Sequence, residues 1–394
     1  MINEKQRNAL IKKIKANEYA LQKESHETRD NKELLLSVLD GTTELLMYCS
    51  SNLQDDKEFV LEALKADGFN LKHVSDRLAN DDDIALYVAQ NCPWAIQFIS
   101  NRIKSDPVIA EIAINRYSHC FFKFNENVRH DKKMTLLAVG KNGGNLKYTS
   151  DTLKNNKEIV LAAVKDDPKS FEYASRELKN DIDICAYLAQ KDSIQLQHAS
   201  LEIKSNKNLM LLGVIQNPAL FNYINKNLQY DLDIAKIAVK SNGNLIEHTG
   251  IELQDNYELG LIAVKNFGGA LQHLSDNLKD SETIVWEAVK NNGWALQHAS
   301  STLKNNSQIV LCAIKQHSRA IKHASEELKN DKNIVYQAYK NNKFNESLQN
   351  LISAELKKEI GMNDPIKYLE SAILNEKLNN TLPIKSDKKI KNKI

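Results

Sequence analysis

The sequence predicts an all-α fold: a right-handed α-solenoid of thirteen 25-residue, two-helix repeats closed by helical caps. Three observations predict it. The 394-residue chain repeats itself every 25 residues with no insertion or deletion. Each period carries apolar residues at helical spacing. Nearly every period opens on a residue that caps helices.

The period is visible by eye. Trp294-Ala-Leu-Gln-His-Ala-Ser300 aligns with Phe171-Glu-Tyr-Ala-Ser175 and with Ala320-Ile-Lys-His-Ala-Ser325. Units begin at Gln6, Asn31, Asp56, Asp81, Asp106, Asp131, Asn156, Asp181, Asn206, Asp231, Asn256, Ser281 and Asn306. A constant period means that every unit stacks on the last with one geometry, as in a solenoid and unlike two or three globular domains.

Within a unit, positions run from 1 to 25. Position 1 is Asp, Asn or Ser after the first unit, and such side chains accept hydrogen bonds from free helix N–H groups. Asp30-x-x-Glu33, Asp55-x-x-Glu58 and Asp255-x-x-Glu258 read as capping-box-like sets. Positions 4, 5, 8 and 9 are apolar, as in Ile159, Val160, Ala163 and Val164, which makes one helical stripe. Position 8 is usually small, permitting close helix contact. Position 13 is mostly Gly, Pro or Ser (Gly68, Pro93, Ser118) and ends the first helix. Positions 16, 19 and 23 (Leu296, Ala299, Leu303) predict a second, shorter helix, which the serine at position 20 either ends or occupies. One hairpin cannot bury its apolar face alone, so stacked neighbours must complete it. No unit alternates like a strand.

Four segments follow. Residues 1–30 form a divergent N-terminal cap, 31–340 the tandem repeats of one solenoid, and 341–382 the C-terminal capping helices. Helix continues from Asn341 to a stop at Gly361, and Asp364-Pro365 opens another. Residues 383–394 are a Lys-rich, disordered tail. The tail holds Lys385, Lys388, Lys389, Lys391 and Lys393 against Asp387, so it is basic beside a total net charge of +2. The remaining chain is slightly acidic. That balance argues against a dedicated nucleic-acid binder, whose pI usually exceeds about 9. A mean hydropathy of −0.48 and the lack of an 18-residue apolar run exclude a transmembrane helix. Cys49, Cys92, Cys120, Cys185 and Cys312 show no paired or zinc-binding spacing and read as buried hydrophobes in a reducing cytoplasm. Met1–Ile14 lacks the apolar core of a secretory signal peptide.

Residues Trp294–Lys315 (WALQHASSTLKNNSQIVLCAIK) and Phe171–Gln190 (FEYASRELKNDIDICAYLAQ) closely resemble the repeats of domain-of-unknown-function family 4116. The resemblance covers about residues 31–340. It implies a repeat scaffold. It also implies an effector, translocated into a host cell by a non-classical route, because such repeats occur in effectors of intracellular bacteria and in protist proteins. It carries over no catalytic residue, and the unit Asp106–His130 departs most from the pattern.

Three candidate surfaces emerge. Position 18 holds a histidine column, including His248, His273, His298 and His323. A metal ladder is disfavoured, because equivalent atoms in stacked layers lie on the order of 9 Å apart, whereas two ligands of one zinc must lie within roughly 4 Å of each other. Exchange with Tyr and Phe at that position indicates a half-buried ring with a polar tip. Lysines form columns at position 10 (Lys165, Lys240, Lys265, Lys290, Lys315, Lys340) and at position 24 (Lys154, Lys179, Lys204, Lys279, Lys304, Lys329). Such rows suit a phosphate backbone, although the helix dipole also favours cations at position 10. Finally, Tyr117, Phe121, Phe122 and Phe124 gather aromatics in the irregular unit, and aromatics dominate binding hot spots. The competing explanation is that these rings fill the core of their own unit.

No P-loop, HExxH, GxSxG, GxGxxG or EF-hand pattern occurs. The sequence therefore predicts no catalytic residue, no cofactor and no metal. It predicts a non-enzymatic scaffold that binds a protein partner along an extended face. A nucleic-acid or phosphoinositide ligand on the lysine rows is the first alternative, and an enzyme with an unrecognised site the second.

Overall fold

A computed structural model describes residues 4–40, 42–341 and 348–381. The Lys-rich tail 383–394 lies outside the described residues. Among those residues every regular element is helical. The chain forms two compact units, Met1–Ser200 and Leu201–Ile394.

The period is realised as three helical pieces, where the sequence suggested two. In the unit opening at Asp56 these are an α-helix Lys57–Ala66, a 3-10 helix Gly68–His73 and a single α-turn Asp76–Ala79. Short polar caps cause the extra break. Asp67 is extended (φ −153°, ψ 123°), and its carboxylate accepts from Phe69 N–H at 2.9 Å. Val74 is extended too, and Ser75 then starts the third piece, its Oγ accepting from Leu78 N–H at 3.2 Å. The serine at position 20 thus neither ends the second helix nor sits inside it. It begins a new one. In two layers the third piece is a 3-10 turn, Ile103–Ser105 and Leu178–Asn180.

The long helix is capped by position 1. Asn31 Oδ1 accepts from Leu34 N–H at 3.0 Å, Asp56 from Phe59 at 2.9 Å and Asn256 from Leu259 at 2.9 Å. The capping-box reading of Asp30, Asp55 and Asp255 is therefore corrected. These side chains turn to the neighbouring layer, where Ser50, Ser75 and Ser275 donate their hydroxyls to them.

That contact belongs to a staple between layers. Ser75 N–H donates to Gln54 C=O at 2.9 Å, while Ser75 Oγ reaches Asp55. Ser100 repeats it on Ala79 C=O (2.9 Å) and Asn80 (2.6 Å), and Ser325 on Lys304 C=O (2.9 Å) and Asn305 (2.5 Å). Where position 20 becomes Asn125, position 25 of the preceding layer becomes Ser105. Donor and acceptor exchange, and Asn125 Nδ2 donates to Ser105 Oγ at 2.8 Å.

The apolar stripe packs as its spacing predicts. Phe59, Val60, Ala63 and Leu64 are buried, as are Leu71 and Leu78. Long helices of successive layers lie against one another, for example Lys132–Lys141 on Lys157–Asp166 and Leu232–Ser241 on Tyr257–Asn266. Close approach explains the glycine at position 13: a Cβ on Gly143 would stand 2.3 Å from the Ala163 carbonyl oxygen of the next layer.

At the N-terminal end, Glu4–Ala16, Glu18–Lys23 and His26–Arg29 follow the same three-piece plan. The following long helix is short, Lys32–Leu36. At the other end the long helix Lys332–Lys340 does not run on to Gly361. A separate helix Ala354–Ile360 intervenes and stops at Gly361, whose φ of 57° suits glycine. Asp364 caps the last helix, Pro365–Thr381, by accepting from Ile366 N–H at 3.0 Å, and that helix packs on Lys332–Lys340.

Candidate functional site

The 3-10 pieces of successive layers stack on one another. Positions 15 and 16 face the core in nearly every layer, as Asn70 and Leu71 do, and position 13 does so where it is glycine, as at Gly68, while positions 14 and 17 are more open. Within residues 17–148 the outward positions carry large apolar groups. Tyr19 is 50% exposed, Met47 50%, Phe69 42%, Trp94 44% and Phe122 41%. The free energy of leaving such surface in water is unfavourable, and contiguous exposed apolar surface usually marks an interaction site.

These rings touch across layers. Tyr19 meets Tyr48 edge to face with centroids 6.0 Å apart, and Phe69 meets Phe98 likewise at 6.3 Å. Phe122 stacks on Tyr148 at 5.0 Å. Ammonium groups lie among them: Lys23 Nζ is 5.8 Å from the Tyr19 ring, Lys123 4.4 Å from Phe122 and Lys147 4.6 Å from Tyr148. Lysine over a ring face is attracted by the ring's negative centre.

The aromatic cluster expected in the irregular unit divides. Phe121 and Phe124 are buried with Cys120, because they occupy positions 16 and 19. They are removed from the candidate surface. Tyr117, stacked on His119 at 5.2 Å, and Phe122 are exposed and join the stripe. Sequence reasoning passed over Tyr19, Met47, Phe69 and Trp94. The signal was available: each is apolar at position 14 or 17, off the buried stripe.

The histidine column is mostly half-buried. His273, His298 and His323 are partly covered, while His248 is exposed. Burial holds His273 and His298 below the usual imidazole range, and burial together with Lys322 pushes His323 down to about 4. Glu247 spans two members, 3.2 Å from His248 Nε2 and 3.5 Å from His273 Nε2. Trp294 packs on His323 at 6.0 Å and on His317 at 5.7 Å. Among the described residues no three His, Cys, Asp or Glu side chains converge as metal ligands. The column is a packing seam whose outer edge is polar.

The two lysine columns differ. At position 24, Lys179, Lys204 and Lys304 are half-covered, and burial lowers their ammonium groups. This column does not form an open cationic row. At position 10, Lys240, Lys265, Lys290 and Lys315 are exposed. Lys290 lies 4.0 Å from Glu287, and the other three have no ion-pair partner among the described residues. Lys315 borders an open cleft of about 330 Å³ with Leu311, Asn333, Ile334 and Gln337.

A third lysine position was not anticipated. At position 2, Lys57 bridges Asp81 (2.8 Å) and Asp83 (2.5 Å) of the next layer, and Lys157 bridges Asp181 (2.8 Å) and Asp183 (2.6 Å). Those carboxylates raise the ammonium groups of Lys57 and Lys157 above their usual range. These contacts bind layer to layer and are not free for a ligand. The buried thiols of Cys49, Cys92, Cys120 and Cys185 are pushed up to about 12 by burial, which leaves them poor nucleophiles.

Fold and surface together define a tandem helical-repeat protein with its layers stapled side by side. The family model described as "Domain of unknown function (DUF4116)" matches in overlapping tandem from residue 31 to residue 357, and the chain belongs to that family. No curated protein and no solved structure matches it. No described helix is long and apolar enough to cross a membrane.

Proposed function

We propose that this chain is a non-enzymatic repeat scaffold, a right-handed solenoid of thirteen layers, that binds a protein partner along the outward face of its 3-10 pieces. One observation carries the reading: five large apolar side chains at outward positions between Tyr19 and Phe122, each at least 41% exposed. Tyr19, Phe69 and Phe122 each touch one ring of the next layer and still leave two fifths or more of their surface in water. The lack of a recognisable catalytic motif supports a role without chemistry. Five unpaired thiols support a reducing compartment. Delivery into a host cell rests on the family resemblance alone. The test is capture from lysate with the full chain and with a Phe69→Ser/Trp94→Ser/Phe122→Ser variant. A stoichiometric protein is expected on the first and absent on the second. Capture by neither, or equally by both, removes this reading.

A second reading has its own observation. Lys240, Lys265 and Lys315 are exposed, one per layer, and have no ion-pair partner among the described residues. They suit a phosphate-rich ligand, either nucleic acid or a phosphoinositide headgroup. Binding on this row must fall steeply between low and physiological salt. A flat salt dependence excludes it.

A further inference from the structure

We infer that the layer Asn206–Tyr230 is a hinge of the stack: it opens locally while the layers that follow it stay closed. The inference goes beyond the scaffold reading and does not depend on what the scaffold binds. Three features of this one layer point to it.

The first is the loss of the side-chain staple on both of its sides. In most layers the residue at position 20 holds the preceding layer twice, by its N–H and by its side chain. Gly250 has no side chain to offer, and Tyr230 stands where Asp or Asn usually accepts. The Tyr230 ring packs over Gly250 in place of that bond. Gly250 N–H still reaches Gln229 C=O, but at 3.4 Å, against 2.9 Å for Ser75, Ser300 and Ser325 on their partners. A bond of that length is weaker than an ordinary one. On the other side, Asn225 N–H donates to Lys204 C=O at 3.0 Å, yet the side chains turn back into their own layers. Asn225 Oδ1 accepts from Asn227 N–H at 2.9 Å, and Ser205 Oγ donates to Leu201 C=O at 2.7 Å. The bond between Asn125 and Ser105 thus has no counterpart here among the described residues.

The second is the loss of a further tie at position 13. Gly143, Gly243 and Gly268 donate their N–H groups to Asp166, Asn266 and Asn291 of the next layer, at 2.7, 2.8 and 2.7 Å. Pro218 occupies that position in this layer and has no N–H. Pro93 and Pro168 share the defect, but their layers are stapled on both sides, at Ser100 and Asn125 and at Ser175 and Ser200.

The third lies within the layer. Its long helix Lys207–Gln216 carries Gly213 where the next layers carry Ala238 and Ala263, and glycine weakens a helix interior relative to alanine. Its third piece, Lys226–Gln229, buries no residue, whereas Leu278 and Leu303 are buried in theirs. What keeps the layer closed is its share of the core, Leu209, Met210, Val214 and Phe221, and one charged bridge. Lys207 Nζ lies 2.6 Å from Asp231 and 3.4 Å from Asp233 of the next layer. Partly exposed pairs of this kind hold weakly.

The seam at His130 and Ser150 is also unstapled, since Ser150 bonds to Thr152. There Arg129 Nη1 donates across it to Tyr148 C=O at 3.1 Å, and Ser175 staples the far side of that layer to Asn155 at 2.5 Å. In a stack whose stability is a sum of layers and of contacts between neighbours, a layer weak in itself and at both seams opens first.

Hydrogen exchange of the full chain, read by mass spectrometry and normalised to the unfolded rate of each peptide, tests this. Two ordinary side-chain bonds are missing, so protection over residues 206–232 and 249–255 should lie about ten-fold or more below that over residues 281–305. Lys207→Gln should lower it over 206–232 by a further two- to five-fold or about that, the weight of one exposed bridge. Ser300→Gly, which unstaples a closed seam, should lower protection over residues 299–305 by about ten-fold. Circular dichroism checks that both variants are folded. Equal protection of the two wild-type stretches, or opening of every layer at one rate, overturns the inference. So does unmoved local protection in folded Ser300→Gly, because the staple would then not set where the stack opens. If Ser300→Gly does not fold, the wild-type comparison and Lys207→Gln decide, and no change in either stretch on Lys207→Gln counts against the hinge.

Discussion

The 3-10 faces of residues 17–148 and of residues 218–323 are made from the same backbone and differ in what they show to water. The first shows Tyr19, Met47, Phe69, Trp94 and Phe122. The second shows Asn222, Glu247, Gln272, Gln297 and Lys322 at position 17 and Ala219, Asn244, Gly269, Trp294 and Arg319 at position 14, above a seam of histidines, so Trp294 is its one large apolar residue at these two positions. Exposed apolar residues occur in the second unit too: Tyr223 and Phe267 stand at positions 18 and 12, as Tyr148 and Tyr117 do in the first, whereas Ile215, Tyr230, Ile251, Tyr257 and Trp286 belong to positions 10, 25, 21, 2 and 6. The core positions beneath the two faces are alike: Leu71 and Leu146 in one, Leu271 and Leu296 in the other, all buried. The buried positions 4, 5, 8, 9, 16, 19 and 23 are thus filled by apolar residues in nearly every layer, while 14 and 17 vary. Tyr19, Phe69 and Phe122 at these positions touch rings of the adjacent layer and still keep much of their surface in water.

The strongest way to break this division is inside one layer. Phe121→Ala removes a buried ring and should destabilise by about 3–5 kcal/mol, whereas Phe122→Ala, one residue on, should stay within about 0.5–1 kcal/mol in urea unfolding. Similar losses for both would mean that Phe122 serves the core and that the stripe is not free surface. The next effect concerns the staple. Gly250 sits where a serine usually stands, and a Cβ there would come within 1.8 Å of the Tyr230 ring. Gly250→Ser should cost about 1–3 kcal/mol by overpacking. Adding Tyr230→Asn should recover most of that, because it recreates the Ser–Asn pair of other layers. Failure of the double variant to recover would show that the staple is not transferable between units.

Smaller again is the staple serine itself. Ser75→Ala removes both a cap and the bond to Asp55, for about 1–2 kcal/mol. Ser150→Ala should cost less, since Ser150 caps Leu153 N–H but bonds to its own layer's Thr152 in place of the preceding layer. Equal losses would assign the whole effect to capping. The smallest expected effect separates the two faces by pH. His323 is held at about 4 in the fold, below its unfolded value near 6.5. Both states are neutral above 6.5. As pH falls from 6.5 towards 4 the unfolded chain takes up the proton first, so stability declines across that window. His323→Gln should lessen the decline in unfolding midpoint between pH 6.5 and 4 and leave the part contributed by His273 and His298, which burial also lowers. The carboxylates of Asp56 and Asp81, held low despite their partial burial, contribute only below their usual range and so leave this window clear. An unchanged slope would show that His323 titrates normally.

Much of the repeat was legible because its signals are local. Asn31, Asp56 and Asn256 cap helices by bonding to N–H groups three residues away, and the apolar stripe at Phe59, Val60, Ala63 and Leu64 follows from helical spacing alone. The second helix was misjudged because its break at Val74–Ser75 is made by a serine, which tolerates a helix interior as well as a cap. What decides between them is the backbone bond from Ser75 to Gln54 in another layer, and that partner lies 21 residues away. The pairing of Ser with Asp or Asn across 20 residues, and its reversal at Ser105 and Asn125, was present in the sequence. It becomes readable as a contact only once the layers are stacked.

The sequence by itself determined the period, the helical class, the capping residues and the buried stripe, since each follows from spacing within a turn or two of chain. Only the tertiary structure decided which side chains are free. Phe121 and Phe122 are equal in composition and neighbours in sequence, yet one fills the core and the other stacks on Tyr148 in water. Lys57 and Lys265 are both lysines on long helices, yet one is spent on Asp81 and Asp83 while the other has no ion-pair partner among the described residues. Exposure and charge pairing depend on what the next layer brings, and that is set by stacking, not by local propensity.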